Sequence, residues 1–130
     1  MIALDTNVLV RYLVQDDATQ ARAANRAITR LSPESPAFIS MVVLCEVDWV
    51  LRTAYNVARD DCIHTLERIL SISVFDIENL DCCRRALRAF REGPADFSDY
   101  LIRESARDGG YDTVLTFDKK ALKSEGFVKP

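Results

Sequence analysis

The chain has 130 residues, with 17 Lys and Arg against 20 Asp and Glu, a formal net charge of −3 and 48% hydrophobic residues. This length suits one domain, over residues 1–130, and the apolar content excludes a disordered chain. The longest apolar runs, such as Met41–Cys45, fall far short of the roughly 20 residues of a membrane-spanning helix. The N-terminus has no basic leader, so we expect a cytoplasmic protein without membrane association.

Short apolar runs alternate along the chain with longer segments of helical periodicity. The predicted elements are a strand over Ile2–Leu4, helices over Asn7–Val14 and Asp17–Leu31, a strand over Ala37–Ile39, helices over Met41–Tyr55 and Arg59–Leu70, a strand over Ile72–Ile77, helices over Leu80–Phe90 and Phe97–Arg107, and strands over Thr113–Leu115 and Phe127–Val128. Strands joined by helices of this length favour parallel pairing with helices on both faces. The predicted fold class is α/β.

The cysteines and the single histidine do not indicate a zinc site. The chain has no C-x-x-C motif, and His64 has no cysteine pair near it. We therefore expect Cys45, Cys62, Cys82 and Cys83 to be reduced thiols that act as small apolar residues. No P-loop or G-x-G-x-x-G motif indicates nucleotide binding, and no G-x-S-x-G motif accompanies His64.

Two aspartates follow predicted strands. Asp5 closes the first strand and Asp118 closes the fourth. In an open parallel sheet, ligands bind at the carboxyl ends of the strands, so both side chains are expected at the same edge. The alternative is that each aspartate only caps the helix that follows it.

Glu46 is a further candidate because of its helical neighbours. The residues three and four positions away are all apolar: Val42, Val43, Trp49 and Val50. This pattern predicts that Glu46 projects from the buried face, where an ionised carboxylate needs a cation or hydrogen bonds. Asp48 instead has Arg52 four residues on, which indicates a solvated ion pair.

Asp96 and Asp99 begin the last long helix. Asp96 is suited to the N-cap position, and Asp99 then lies in the first turn, with Arg103 four residues on. A capping role and a functional role are both consistent with these positions. Together with Asp5, Glu46 and Asp118, Asp99 gives four carboxylates with no His or Cys ligand, which favours Mg²⁺ or Mn²⁺ over zinc. The chemistry indicated is metal-dependent phosphodiester hydrolysis.

Four blocks of sequence resemble a known family. They are, in order, Leu4–Leu9, Glu46 on a helix after Phe38–Ser40, Asp96–Ile102 and Leu115–Asp118. From Met1 to about Phe127 the chain is similar to PIN domains, and among these it resembles the VapC-type ribonuclease toxins of prokaryotic toxin–antitoxin pairs. The resemblance implies a PIN-like three-layer α/β/α fold with a mostly parallel central sheet of four to five strands.

The resemblance also implies an active site. The family's acidic quartet falls on four residues of this chain: Asp5, Glu46, Asp99 and Asp118. Thr6 or Asn7 would hold the first carboxylate by hydrogen bonding, and Thr116 the last; Asp96 is an outer-shell acid, a substitute ligand or only a cap. The expected activity is Mg²⁺- or Mn²⁺-dependent endoribonuclease cleavage. The expected partners are an RNA substrate, a cognate antitoxin protein and a second copy of the chain.

The charge of the chain permits RNA binding despite the sequence pI of about 5.2. Without the four proposed ligands, 17 basic groups face 16 acidic groups. Arg11, Lys119 and Lys120 lie near the proposed ligands and are candidates for phosphate contacts. Arg84, Arg88 and Arg91 share a helical face that is read as a solvated surface. Two other functions remain open: a non-catalytic PIN-like module that binds nucleic acid or protein, and a DNA-directed nuclease.

Overall fold

The computed structural model describes residues 1–130, which divide into two compact units, Met1–Glu78 and Asn79–Pro130. The elements of the first unit are β1 (Ile2–Ala3), α1 (Thr6–Val14), α2 (Ala18–Thr29), β2 (Ala37–Ile39), α3 (Met41–Thr53), α4 (Arg59–Ser71) and β3 (Phe75–Ile77). The elements of the second unit are α5 (Leu80–Glu92), α6 (Phe97–Asp108), β4 (Val114–Leu115), a 3₁₀ turn (Ala121–Lys123) and β5 (Phe127–Val128).

The first unit is built on a parallel sheet with the strand order β1-β2-β3. Ile2 pairs with Ala37, and Ala37 pairs with Phe75. Two helices connect each strand to the next, as parallel neighbours require. The α/β class and the parallel pairing predicted from the sequence are confirmed.

Three of the four helices of the first unit, α1 to α3, begin after polar caps, whereas α4 follows Ala58. The Asp17 side chain accepts a hydrogen bond from the backbone N–H of Gln20, and the Ser40 hydroxyl accepts one from that of Val43. Such side chains satisfy N–H groups that have no partner inside the helix. The largest fully buried aliphatic side chains of this unit come from four different elements, which gives it a core of its own. They are Leu9, Ile39, Leu44, Val47, Leu66 and Ile69.

The second unit buries three aromatic side chains of α5 and α6, namely Phe90, Phe97 and Tyr100. The rings of Phe90 and Phe97 lie 6.0 Å apart, and both side chains are fully buried. The buried Tyr100 hydroxyl accepts a hydrogen bond from the Ala95 backbone N–H and bonds the Ser124 hydroxyl at 2.7 Å. A satisfied phenol of this kind ties α6 to the segment after the 3₁₀ turn.

The buried carboxylate of Glu104 organises the arginines of the second unit. It accepts hydrogen bonds from Arg85 at 3.2 Å, Arg103 at 3.0 Å and Arg107 at 2.9 Å. Arg103 also donates to the carbonyl of Glu125 at 2.9 Å. At the next position, Gly126 has φ +91°, and a Cβ atom there would lie 2.9 Å from Arg103 Cδ, so glycine is required.

All five predicted strands are present, but they belong to two sheets. β4 pairs in parallel with β5, and this two-stranded sheet is separate from β1–β3. Strand pairing therefore does not by itself place Asp118 beside Asp5, as the argument from one sheet edge assumed. The predicted third strand, Ile72–Ile77, is shorter than expected because α4 continues to Ser71. None of the helices combines the length and the apolar character that a membrane crossing requires.

Candidate active site

Thr6 connects two of the predicted acids in the first unit. Asp5 is the N-cap of α1, and its Oδ1 atom accepts a 2.7 Å hydrogen bond from the backbone N–H of Thr6. The Thr6 hydroxyl donates to Glu46 Oε2 at 2.6 Å, across 40 residues of sequence. Thr6 is buried, whereas both carboxylates are exposed. A fixed hydroxyl therefore orients Glu46 at the helix end that Asp5 caps.

Asp5 and Glu46 each keep one oxygen that accepts no hydrogen bond from the protein, namely Asp5 Oδ2 and Glu46 Oε1. Both residues line an open cleft of about 350 Å³. Thr6 or Asn7 was expected to hold the Asp5 carboxylate. Thr6 donates its backbone N–H to Asp5 and its hydroxyl to Glu46, whereas Asn7 lines the cleft. Paired carboxylate oxygens at an open cleft are a donor set suited to a hard cation.

Glu46 was predicted to be buried and Asp48 to be exposed to solvent, and both predictions are wrong. Glu46 is exposed, and so are its neighbours Val42 and Trp49, which are 66% and 60% exposed. The buried face of α3 instead includes Asp48, which pairs with Arg52 at 3.0 Å. The ion pair was predicted correctly, but it is not solvated, since the Asp48 side chain is 2% exposed. α3 is apolar on both sides, so apolar neighbours alone do not identify its buried face.

Arg11 lines the same cleft but is held by three side chains. Its Nε atom donates to Gln20 at 2.6 Å, and its Nη1 atom donates to Asp16 at 3.1 Å and to the Tyr55 hydroxyl at 2.8 Å. The Tyr55 hydroxyl in turn donates to Asp16 at 2.9 Å. The hydrogen bond to Tyr55 and the charge of Asp16 raise the pKa of Arg11. The guanidinium is thus fixed in orientation, and Nη2 remains available for a ligand.

Sequence reasoning missed Tyr55 as a cleft residue. It lies after the C-terminus of α3, 44 residues from Arg11, and lines the cleft with Asp5 and Glu46. No local pattern in the sequence indicates this contact, because it depends on how α1 and α3 pack.

In the second unit, Asp96 and Asp99 form a capping box at the start of α6. The Asp96 side chain accepts from the backbone of Asp99, and Asp99 Oδ2 accepts from the Asp96 backbone N–H at 3.0 Å. Asp96 is therefore the N-cap of α6, the position to which its sequence suited it. Arg103, the suggested partner of Asp99, donates instead to Glu104 and to the carbonyl of Glu125.

Asp118 is exposed after β4 and also acts as a cap. Its Oδ1 atom accepts from the backbone N–H of Ala121 at 2.8 Å, at the start of the 3₁₀ turn. Thr116 was expected to hold the Asp118 carboxylate, but its hydroxyl accepts from the Asp118 backbone N–H at 3.0 Å. It therefore fixes the main chain rather than the carboxylate. Lys119 and Lys120 are exposed beside it.

The two units each contribute some of the predicted acids. Asp5 and Glu46 are brought together in the first unit, and Asp99 and Asp118 lie in the second. Within neither unit are three or more His, Cys, Asp or Glu side chains gathered into a metal-ligating group.

The thiol next to Glu46 is not a candidate ligand or nucleophile. Burial, with the nearby carboxylates of Asp48 and Glu46, raises the pKa of the Cys45 thiol to about 11. The thiol is therefore protonated at neutral pH, whereas metal binding and nucleophilic attack need a thiolate. All four cysteines are free, as predicted.

The parallel α/β unit and the acids at its cleft define a class of protein. The chain belongs to the PIN domain family, whose model matches residues 2–125 and so spans both units. The chain is also similar to a protein from Aquifex aeolicus (strain VF5) named VapC ribonuclease. The two are 26% identical over 128 residues, which cover 98% of this chain and 93% of that protein. The resemblance to PIN domains and VapC-type proteins inferred from the sequence is confirmed.

Proposed function

We propose that the chain is a Mg²⁺- or Mn²⁺-dependent endoribonuclease and the toxin of a toxin–antitoxin pair. The observation that carries this proposal is the Thr6 hydroxyl bonded to Glu46 beside Asp5, at an open cleft. Membership of the PIN domain family and similarity to a VapC ribonuclease give that cleft its chemical interpretation. The proposal treats residues 1–130 as one functional domain, because the family match spans both units.

The donor set of the cleft fits the proposed metal. Its free oxygens are carboxylate oxygens, and no histidine or thiolate accompanies them. Such donors select Mg²⁺ or Mn²⁺ over softer metals. The metal ligands in this proposal are those that the family resemblance implies, Asp5, Glu46, Asp99 and Asp118, and Asp96 has an outer role at most.

The protein groups have separable roles in this proposal. A divalent cation, when bound, supplies positive charge to the phosphodiester and lowers the pKa of water. Thr6 holds Glu46 in one orientation, which limits the reorganisation that binding would otherwise require. Arg11 offers Nη2 to a substrate phosphate, and Lys119 and Lys120 are exposed cations for the same purpose.

The proposed partners come from the family resemblance. They are a single-stranded or loop region of RNA, a cognate antitoxin protein and a second copy of the chain. A single strand is favoured because the cleft of about 350 Å³ is too small for a duplex.

A cleavage assay tests the proposal. The purified chain and its Asp5→Asn variant are incubated with a mixed RNA pool in the presence of Mg²⁺, Mn²⁺ or EDTA. We expect cleavage only by the wild type and only with metal. Asp60→Asn is the matched control, because Asp60 is an exposed acid of α4 in the same unit and outside the cleft. Undiminished cleavage by Asp5→Asn would show that the site is wrongly assigned.

A parallel incubation with a DNA pool, together with thermal melts, separates the DNA-directed nuclease and the non-catalytic module from the proposed ribonuclease. A DNA-directed nuclease would cleave a DNA pool in preference to RNA under the same metal conditions. A non-catalytic module would cleave neither pool, and it need not gain thermal stability from Mn²⁺. We expect Mn²⁺ to raise the Tm of the wild type but not that of Asp5→Asn.

A further inference from the structure

Helix α2 carries a row of unpaired cations in an acidic protein. From Ala18 to Arg30 the chain contains no Asp or Glu. Arg22, Arg26 and Arg30, here called the arginine row, are exposed and make no hydrogen bond or ion pair with the protein. Their spacing of four residues puts them on one side of the helix, with a rise of about 6 Å between neighbours.

Several other arginines, unlike those of the arginine row, are paired with carboxylates of the protein. Arg11 bonds Asp16, Arg52 bonds Asp48 and Arg85 bonds Glu104. Those pairs neutralise charge inside the protein. The arginine row has no such internal partner, so its charge is available to an external anion.

A groove between α1 and α2 adjoins the acidic cleft. The groove has a volume of about 320 Å³ and lies between α1 and α2. Its α2 wall includes Ala23, Ala24 and Ala27, and these small side chains allow an extended chain to approach closely. Asn7 and Arg11 line both the groove and the cleft that contains Asp5 and Glu46, so the two adjoin each other.

We propose that this groove holds the single-stranded RNA segment that flanks the scissile bond, and that the arginine row binds its phosphates. Arg26 and Arg30 follow Ala23 and Ala27 by three residues, and residues three apart are neighbours on a helix surface, so these two cations border the groove's alanine wall. A polyanion is the fitting occupant, because the row offers three positive charges and α2 offers no carboxylate to balance them. The inference rests on the proposed function, since it gives RNA its path away from the cleft.

The salt dependence of RNA binding tests the arginine row. Binding of a fluorescent single-stranded RNA is measured by anisotropy between 50 and 200 mM salt, in the Asp5→Asn background to prevent cleavage. Replacing the row by glutamine (R22Q/R26Q/R30Q) should reduce the slope of log K against log salt by about 2 and weaken binding on the order of tenfold. A lysine triple (R22K/R26K/R30K) should keep most of the slope.

A matched control separates local contacts from overall charge. Arg68, Arg84 and Arg88 are also exposed arginines without a protein partner, on α4 and α5. The triple R68Q/R84Q/R88Q changes the net charge equally and should leave the slope nearly unchanged. In the active enzyme, the glutamine triple of the row should raise KM about tenfold with kcat unchanged. Glutamine supports a helix about as well as arginine, so the Tm should stay close to that of the wild type.

Failure of the inference differs from failure of the proposed function. If the wild type cleaves RNA but the row variant binds RNA with an unchanged salt slope, the inference is overturned. This is the result expected if the groove holds an acidic protein segment instead of RNA. Equal weakening by both triples would also overturn it, because overall charge would then explain the effect. If no protein cleaves RNA but binding still depends on the row, the proposed function fails and the groove assignment stands.

Discussion

Replacing Thr6 by valine removes one hydroxyl and little else. Valine has nearly the same shape as threonine, and the side chain is buried at the start of α1. The lost group is the donor of the 2.6 Å hydrogen bond to Glu46 Oε2. The backbone N–H of residue 6 still bonds Asp5, so the N-cap of α1 is retained. The substitution therefore tests the orientation of Glu46 with small effects elsewhere.

The hydrogen bond from Thr6 to Glu46 allows the effects of the substitution on stability and on function to be estimated. A hydrogen bond to a charged group is worth about 1.5–3 kcal/mol, but Glu46 is exposed and water can replace the hydroxyl. We therefore expect the free energy of unfolding to fall by only about 1 kcal/mol. Groups that orient metal-binding side chains typically change metal affinity or activity by about 10–100-fold. Function should thus be affected far more than stability.

The assay is a titration of RNA cleavage with Mn²⁺, combined with thermal melts. Thr6→Val should shift the Mn²⁺ requirement upward, lower the maximal rate, or both, within that 10–100-fold range. Thr6→Ser retains the hydroxyl and should remain close to the wild type. Full activity of Thr6→Val, or equal loss in Thr6→Ser, would refute the view that the hydroxyl orients Glu46.

Three further predictions concern stability and thiol chemistry. Asp5→Asn should change the free energy of unfolding by less than about 1 kcal/mol, because asparagine is an equally good N-cap; a urea titration measures this. Glu104→Gln should destabilise the protein by about 3 kcal/mol in the same assay, since the buried Glu104 carboxylate balances three arginines. Burial raises the pKa values of Cys45 and Cys62 from about 9 to about 11, so the folded state keeps these protons longer than the unfolded state. Stability should therefore fall between pH 9 and pH 11, less steeply in a C45A/C62A variant, and a Tm series against pH would contradict this if the two proteins fell in parallel.

Local sequence rules predicted the elements well because caps and turns act over a few residues. Asp17, Ser40 and Asp96 each begin the helix that their residue type predicts. Phe127–Val128 forms a strand with the predicted bounds. The caps are fixed by hydrogen bonds over short distances along the chain, whereas the strand also depends on its parallel pairing with β4.

The site was predicted wrongly where the exposure of a side chain depends on tertiary packing. Glu46 was selected as a buried carboxylate, yet it is exposed and is held by a residue 40 positions away. Asp48, two residues on, occupies the buried face instead. The run Met41–Cys45 is apolar on every side of the helix, so periodicity could not distinguish the face that packs from the face that lines the cleft. Glu46 was therefore a correct candidate chosen for an incorrect reason.

The distribution of charge, rather than its sum, reconciles an acidic chain with the proposed polyanionic substrate. Many of the acids are already matched: Asp16 and Glu104, for example, accept hydrogen bonds from arginines. Asp5 and Glu46 keep free oxygens at the cleft, where a divalent cation would reverse the local sign of the charge. On α2 the sign is already positive, because three arginines have no acidic neighbour on their helix. An anion thus meets positive charge along the groove and needs the metal only at the cleft, so loss of the arginine row should weaken binding, and loss of Asp5 should abolish cleavage.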